Sequence, residues 1–157
     1  MTMRLPALDP KTAEVLNRTG YPEPYRSQVL PREKRRLADA CGLTKLGINL
    51  TTLHPGTVSS MRHWHSHEDE FIYLLEGEVI LKTDAGEQRL TPGMCAGFKA
   101  GTLDGHQLIN RSGRPAVYLE ISNRDAEDVA DYSEADLRWN PPGQRGKFTR
   151  KDGTPYP

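Results

Sequence analysis

The sequence predicts an all-β protein with short peripheral helices, and three observations carry that reading. From Leu46 onward apolar residues return at every second position, the period of a strand with one covered face. Turn residues punctuate the stretch that follows about every eight to twelve residues, the spacing of antiparallel sandwiches and barrels. The composition agrees, because 14 glycines and 12 prolines beside only 7% aromatic residues suit short strands joined by many turns. At 157 residues the expectation is a single domain over 1–157, long enough to bury a real core. Within it the strand-rich core spans about 45–122, preceded by an extension, 1–44, and followed by a tail, 123–157.

In chain order, residues 1–8 are expected to be loose. Asp9-Pro10 reads as an N-cap with proline at the first helical position, which predicts a helix over about 10–18 with Gly20 beyond its end. The prolines of Tyr21-Pro22-Glu23-Pro24-Tyr25 keep that stretch extended, and 25–30 is read as an edge strand. Pro31 to Cys41 reads as a second short helix closed by Gly42. Leu46, Ile48 and Leu50 alternate with Gly47, Asn49 and Thr51 in the first core strand. Further strands are expected at Ser59–His65, Phe71–Leu75, Glu78–Lys82, Glu87–Leu90, Met94–Phe98, His106–Asn110 and Ala116–Ser122. Phe71–Leu75 is apolar throughout, which predicts cover on both faces. In the tail, Ser133 is placed to cap one helical turn running to Trp139, and Asn140-Pro141-Pro142-Gly143 breaks it. A tight turn is expected at Asp152-Gly153.

Charge and composition exclude several functions. With 21 basic and 21 acidic residues the formal net charge is zero, and no basic stripe of the kind that binds nucleic acid is present. The densest basic run, Arg32-Glu33-Lys34-Arg35-Arg36, is read as a solvated helix face. Cys41 and Cys95 form neither a disulfide framework nor a ligand spacing. The start lacks an apolar leader and no apolar run reaches membrane-spanning length, so the expectation is a cytoplasmic chain without nucleic-acid or membrane partners.

The chemistry concentrates between Gly56 and Gly77. His63, His65 and His67 alternate there, Glu70 follows three residues later, and His106 lies in a separate short apolar segment. Alternate side chains of a strand share a face, so His63 and His65 can reach one point, and a turn through Ser66–Asp69 returns Glu70 beside them. Imidazoles with a carboxylate suit a borderline first-row divalent ion. The competing reading is a surface strand with solvated histidines and an acidic turn.

These residues resemble the first motif of the cupin superfamily: His63-Trp64-His65, four residues, Glu70, six residues, Gly77. Six residues rather than the usual five separate Gly56 from His63. The second cupin motif is resembled by Gly93, five residues, Lys99-Ala100-Gly101, four residues, His106, three residues, Asn110. There Lys99 stands where the family has proline, and the turn before His106 is two residues longer. The resemblance implies a double-stranded β-helix, a jelly-roll-like cupin barrel, with one divalent metal ion (iron, manganese, zinc or nickel) held by His63, His65, Glu70 and His106. His67 is the reserve ligand should the register differ.

By parity Met61 shares the face of His63 and His65, Ile72 and Leu74 share that of Glu70, and Leu108 that of His106. These four are expected to wall a small-molecule pocket; the competing reading makes them barrel core. Glu68 and Asp69 are read as solvated turn residues, and Asp104 as overhanging the pocket. Within the family the resemblance leaves dioxygenase, decarboxylase and isomerase chemistry on a small oxygen-rich metabolite open, with a non-catalytic small-molecule binding module as the alternative. Phe71, Tyr73 and Leu75 fall on the parity opposite Glu70 and so face outward, which predicts a homodimer that covers them.

Overall fold

The computed structural model of the chain describes residues 6–141 and 148–157. Twelve strands dominate it. β1 (Arg32–Arg36), β2 (Leu46–Leu53), β9 (Ala116–Asn123), β4 (Glu70–Glu76) and β7 (Cys95–Phe98) hydrogen-bond in the order β1-β2-β9-β4-β7. A second sheet runs β6 (Gly86–Leu90), β5 (Val79–Thr83), β8 (Gln107–Ile109). A third runs β12 (Phe148–Thr149), β11 (Arg138–Trp139), β10 (Ala130–Tyr132), β3 (His63–His65). Every named pair is antiparallel, and the fold is the expected double-stranded β-helix.

The first two sheets close on one another through an apolar cluster. Leu53, Ile72, Leu74 and Ala116 from the five-stranded sheet meet Val79, Leu81, Leu90 and Leu108 from the three-stranded one. A second cluster, Tyr21, Val29, Met61, Ala130, Tyr132 and Leu137, packs the N-terminal extension against the third sheet. β3 is stitched to the end of β8 where His63 and His106 exchange backbone hydrogen bonds of 3.2 and 2.9 Å. The strands therefore bring two distant histidines together through the backbone itself.

Several motif residues turn out to hold the scaffold. Gly77 sits at φ +77°, and a Cβ there would lie 2.5 Å from the Pro115 carbonyl oxygen and 2.8 Å from Ala116 Cα. Only glycine fits that combination of backbone conformation and close approach. Asn110 is fully buried; its Nδ2 donates to the carbonyls of Leu53 and Arg114, both at 2.8 Å, and its Oδ1 accepts from Ser112. It satisfies backbone groups that the turn after β8 would otherwise leave bare.

The ends of the chain differ from the sequence-based expectation. The helix expected over 10–18 is a single 3-10 turn, Pro10–Thr12, capped by Asp9 as foreseen. It stops because Leu16 pairs with Lys34 through reciprocal backbone bonds of 2.9 and 3.0 Å, which require extended chain. The edge strand expected at 25–30 is instead a helical turn, α1 (Arg26–Val29). The helix expected from Pro31 is largely strand: β1 pairs residue for residue with β2, Arg32 opposite Leu53 through Arg36 opposite Asn49. Only α2 (Leu37–Ala40) is helical, closed by Gly42 at φ +75°. Pairing with an open sheet edge has overridden local helix preference here. The turn at Ser133 joins β10 to β11 rather than starting a helix, and the tight turn at Asp152-Gly153 is present, with Gly153 donating to the Arg150 carbonyl at 3.0 Å. Residues 1–5 and the 142–143 part of the expected break lie outside the described residues. Strands β1, β10, β11 and β12 extend the sheets beyond the 45–122 core.

Two expectations about faces also change. Only His63–His65 of the Ser59–His65 stretch is regular strand. Phe71, Tyr73 and Leu75 are 38%, 39% and 40% exposed, so the other described residues leave the outer face of β4 partly open. Among the described residues no helix is long and apolar enough to cross a membrane.

Candidate metal centre and adjoining cavities

Strand β3, the start of β4 and the residue before β8 deliver four side chains to one place. His63 Nε2 lies 3.6 Å from Glu70 Oε2, His65 Nε2 3.5 Å, and His106 Nε2 2.7 Å. His63 and His106 are buried, and the side chains of His65 and Glu70 are only 15% and 12% exposed. Ligand-type side chains form two groups among the described residues, His63 with Glu70 and His106, and His65 with Glu68 and Asp128. Glu70 Oε2 links them, since it faces the Nε2 of all three imidazoles. His67 is exposed and bonds Ser66 Oγ through Nδ1 at 2.8 Å, so it stands apart from this centre. His54 faces Glu33 at 3.5 Å, also away from it.

The rings are aimed by their far nitrogens. His63 Nδ1 lies 2.9 Å from the Met61 carbonyl, which can only accept, so Nδ1 carries a proton and Nε2 is the nitrogen turned toward Glu70. His65 Nδ1 lies 2.6 Å from Asp128 Oδ2 and is aimed in the same sense. Asp128 is itself fixed, for its Oδ1 accepts from the backbone N–H groups of His67 and Glu68 at 2.9 and 3.2 Å. His106 is aimed by stacking instead: the Phe98 ring lies parallel to it, 6° off, with centroids 3.6 Å apart. The His63 ring stacks on Tyr132, with centroids 5.5 Å apart.

The electrostatics follow from these contacts. Burial would raise the Glu70 carboxyl, but the facing His106, His63 and His65 outweigh it and hold it well below the usual carboxylate range. Burial pushes the His106 imidazole down, so it is neutral at neutral pH. Burial alone would also depress His65, yet its hydrogen bond to Asp128 and the charges of Glu70, Asp128 and Glu68 raise it from 6.5 to about 9. Burial raises the Glu68 carboxyl, with the charge of Asp128 adding to it.

The donor set fits a divalent ion. Glu70 Oε2 is buried and has no hydrogen-bond partner, although three imidazole nitrogens surround it. Groups that point past one another toward a shared centre leave such an orphan, and a cation at that centre would satisfy it. Three imidazoles and one carboxylate are the ligands of iron, manganese, zinc or nickel, and four ligands leave positions open on an octahedral ion.

Two cavities meet at this centre. One, of about 320 Å³, is bounded by His63, His65, Glu70 and His106 and opens between β1, β9 and the third sheet. The other, of about 340 Å³, lies toward Trp64, Lys99, Thr102 and Asp104. Of the four residues that parity groups with the ligands, Ile72 and Leu108 line the first cavity. Met61 and Leu74 do not. Met61 precedes the regular part of β3, so strand parity does not apply to it, and it packs with Tyr21 and Tyr132; Leu74 lies further along β4 in the closed apolar core. Asp104 lines the second cavity while its Oδ1 accepts from Asp84 N at 2.7 Å.

The first cavity also holds residues that sequence reasoning passed over: Tyr21, Arg32, Lys34, Glu120 and Tyr132. Glu120 Oε2 lies 2.9 Å from Lys34 Nζ and accepts from Thr51 Oγ1 at 3.4 Å. Burial works against its charge, but Lys34 and Arg32 keep it ionised and its pKa low. A signal for Glu120 was present, because Tyr118, Glu120 and Ser122 share one face of an otherwise apolar strand. For Asp128, 63 residues from its partner His65, no local pattern announced the role.

A family model described as Cupin domain matches residues 49–122. Among solved structures, a sugar phosphate isomerase of the cupin superfamily from Silicibacter pomeroyi is 39% identical, with 97% of each chain covered and a TM-score of 0.89. A putative sugar phosphate isomerase from Acidithiobacillus ferrooxidans is 28% identical over 80% of each chain, with a TM-score of 0.71. A polyketide cyclase from Streptomyces resistomycificus shares the fold alone, at 17% identity over 98% of this chain and 90% of its own, with a TM-score of 0.64. No curated protein matches the chain.

Proposed function

Because this chain belongs to the cupin superfamily, we propose that it is a divalent-metal-dependent isomerase that interconverts the aldose and ketose forms of a small sugar derivative. One observation carries the reading. Three imidazole nitrogens converge on one buried, unpartnered carboxylate oxygen at a cavity that also holds the ionised Lys34–Glu120 pair. The likeness to a sugar phosphate isomerase over nearly the whole chain supports it.

A divalent ion held by His63, His65, Glu70 and His106 would act as a Lewis acid toward the carbonyl and hydroxyl oxygens of the sugar. The chain's own groups do the rest. Glu120, ionised beside Lys34, takes the proton from the carbon next to the carbonyl and returns it to the neighbouring carbon. The hydroxyl proton passes to the former carbonyl oxygen in the same conversion, so the carbonyl and hydroxyl exchange places and atoms and electrons balance without a co-reactant. Burial pushes the Tyr21 phenol up to about 12 and holds the Tyr132 phenol well above its usual value, so both stay protonated; Tyr21 donates to the Tyr132 hydroxyl at 3.2 Å, which leaves Tyr132 to donate to a sugar oxygen. The outward face of β4 is read as the contact of a homodimer.

The test loads the purified protein with iron, manganese, zinc or nickel and follows aldose–ketose conversion of a panel of free and phosphorylated sugars by proton NMR in deuterated water. Conversion with incorporation of deuterium at the shifted carbon is the expected result. It should vanish in His65→Ala, which loses the ion while the fold survives, and fall about 10²- to 10⁴-fold in Glu120→Gln. Saturable sugar binding with no conversion under any metal would replace this reading with the non-catalytic binding module.

A further inference from the structure

We propose that Arg32 is the anchor for an oxyanion of the substrate, a phosphate monoester, and so sets its specificity for phosphorylated over free sugars. The inference rests on the reading of the cavity as a sugar site and adds the group that would hold the far end of the substrate.

Strand β1 carries the argument. Its alternation sends Arg32 and Lys34 into the first cavity. Lys34 is already committed, 2.9 Å from Glu120. Arg32 is not. Its Nη1 donates to the Ser59 backbone carbonyl, and its Nε is buried with no hydrogen-bond partner. Among the described residues no carboxylate pairs with it, and residues 1–5 and 142–147 contain no Asp or Glu. Glu120 lies in the same cavity but is bonded to Lys34 and not to Arg32, and a partly buried guanidinium with an unpartnered Nε is costly, a cost that a directly bonded anionic ligand would offset.

The surroundings favour phosphate. The guanidinium fork matches two oxygens of a phosphate at once, and it is permanently charged. Hydroxyls of Thr19 and Ser60 line the same cavity and offer further donors, which a tetrahedral oxyanion can accept beside the guanidinium. The cavity, about 320 Å³, falls at the lower end of the range for small-molecule sites. With its phosphate at Arg32, a sugar would extend its oxygens toward His63, Glu70 and His106, which bound the same cavity.

The experiment is isothermal titration of inorganic phosphate, and separately of malonate, into the metal-loaded protein, its Arg32→Gln variant and its Arg32→Lys variant. Metal content and melting temperature are recorded for each. The expected result is saturable binding of one phosphate per chain, tighter than malonate, weakened by about tenfold or more in Arg32→Gln and by less in Arg32→Lys. Unchanged phosphate affinity in a folded, metal-loaded Arg32→Gln protein overturns the proposal, as does no phosphate binding by the native chain. Malonate binding more tightly than phosphate overturns the choice of phosphate. Should Arg32→Gln fail to fold, Arg32→Lys binding phosphate as tightly as the native chain would count against the bidentate anchor. The readout is binding, so it separates from the isomerase reading: Arg32-dependent phosphate binding without sugar conversion would sink that reading and leave the anchor standing.

Discussion

His65 does two things with one ring. Its Nδ1 donates to Asp128 at 2.6 Å, and its Nε2 faces Glu70 at 3.5 Å. In the metal-free protein its pKa of about 9 means that it is charged at neutral pH, and an ion must displace that proton to bind. Metal affinity should therefore rise with pH between about 7 and 9, by close to tenfold per unit, with about one proton released. Titrations of the ion at pH 7 in buffers of different ionisation enthalpy measure that proton, and a flat affinity over the interval would contradict the assignment. The sign reverses for the stability of the metal-free fold. A histidine whose folded pKa exceeds its unfolded value stabilises fully below 6.5, and the contribution is lost as pH rises through about 9. Asp128→Asn removes the carboxylate that raises and aims the ring. The His65 titration followed by NMR should move down, and metal affinity should fall about 10- to 100-fold. Native affinity in that variant would show that Asp128 does not orient the ligand. That His63, His65, Glu70 and His106 converge was legible, because strand parity and two spaced motifs are local signals. Asp128 reaches the site through the pairing of β10 with β3, and no local pattern encodes that.

At the scale of elements, close backbone approach makes a sharp prediction. Gly77→Ala forces a left-handed φ and drives a Cβ to 2.5 Å from a backbone oxygen that cannot swing away. Gly93 has a similar φ, +90°, but open space around its Cβ position. Gly93→Ala should cost about 1–2 kcal/mol from the backbone conformation alone, and Gly77→Ala clearly more, as urea midpoints would register. Equal losses would mean that the β9 backbone yields easily. Such turn glycines were legible, since glycine punctuates a period-two pattern wherever the chain reverses. β1 was not. Its five residues, Arg-Glu-Lys-Arg-Arg, have no apolar position from which a period could be read, so propensity suggested a helix. The residues that defeat the pattern are the ones that line the cavity. β2 shows the same inversion: Asn49 and Thr51 lie in the register rows of Glu120 and Tyr118 on the cavity side, while Leu46, at 42% exposure, and its alternates face outward. A barrel built around a polar ligand turns its polar positions inward, and alternation alone cannot say which face is the inside.

The whole molecule carries the consequence of that inversion on its outside. Register aligns Ile48, Ile121 and Phe71 in one row across β2, β9 and β4, and Leu50, Leu119, Tyr73 and Cys95 in the next, which reaches β7. Leu46 and Leu75 extend the apolar face at its ends, both exposed. A continuous apolar surface over four strands is more than soluble monomers commonly leave in water. The described part of the N-terminal extension does not cover it, because β1 pairs with the edge of β2 and residues 21–30 pack on the third sheet. A second copy of the same face would cover it with one two-fold contact, which would close the assembly. We predict a homodimer in solution, and light scattering at micromolar concentration checks it against the monomer mass of 17.6 kDa. Tyr73 lies near the middle of the patch, 39% exposed and pointing away from the cavity, so Tyr73→Glu introduces a charge without touching the core or the site. It should shift the mass to that of the monomer while metal binding is retained. A native protein that runs as a monomer, or a Tyr73→Glu protein that stays dimeric, would show that this face is not the interface.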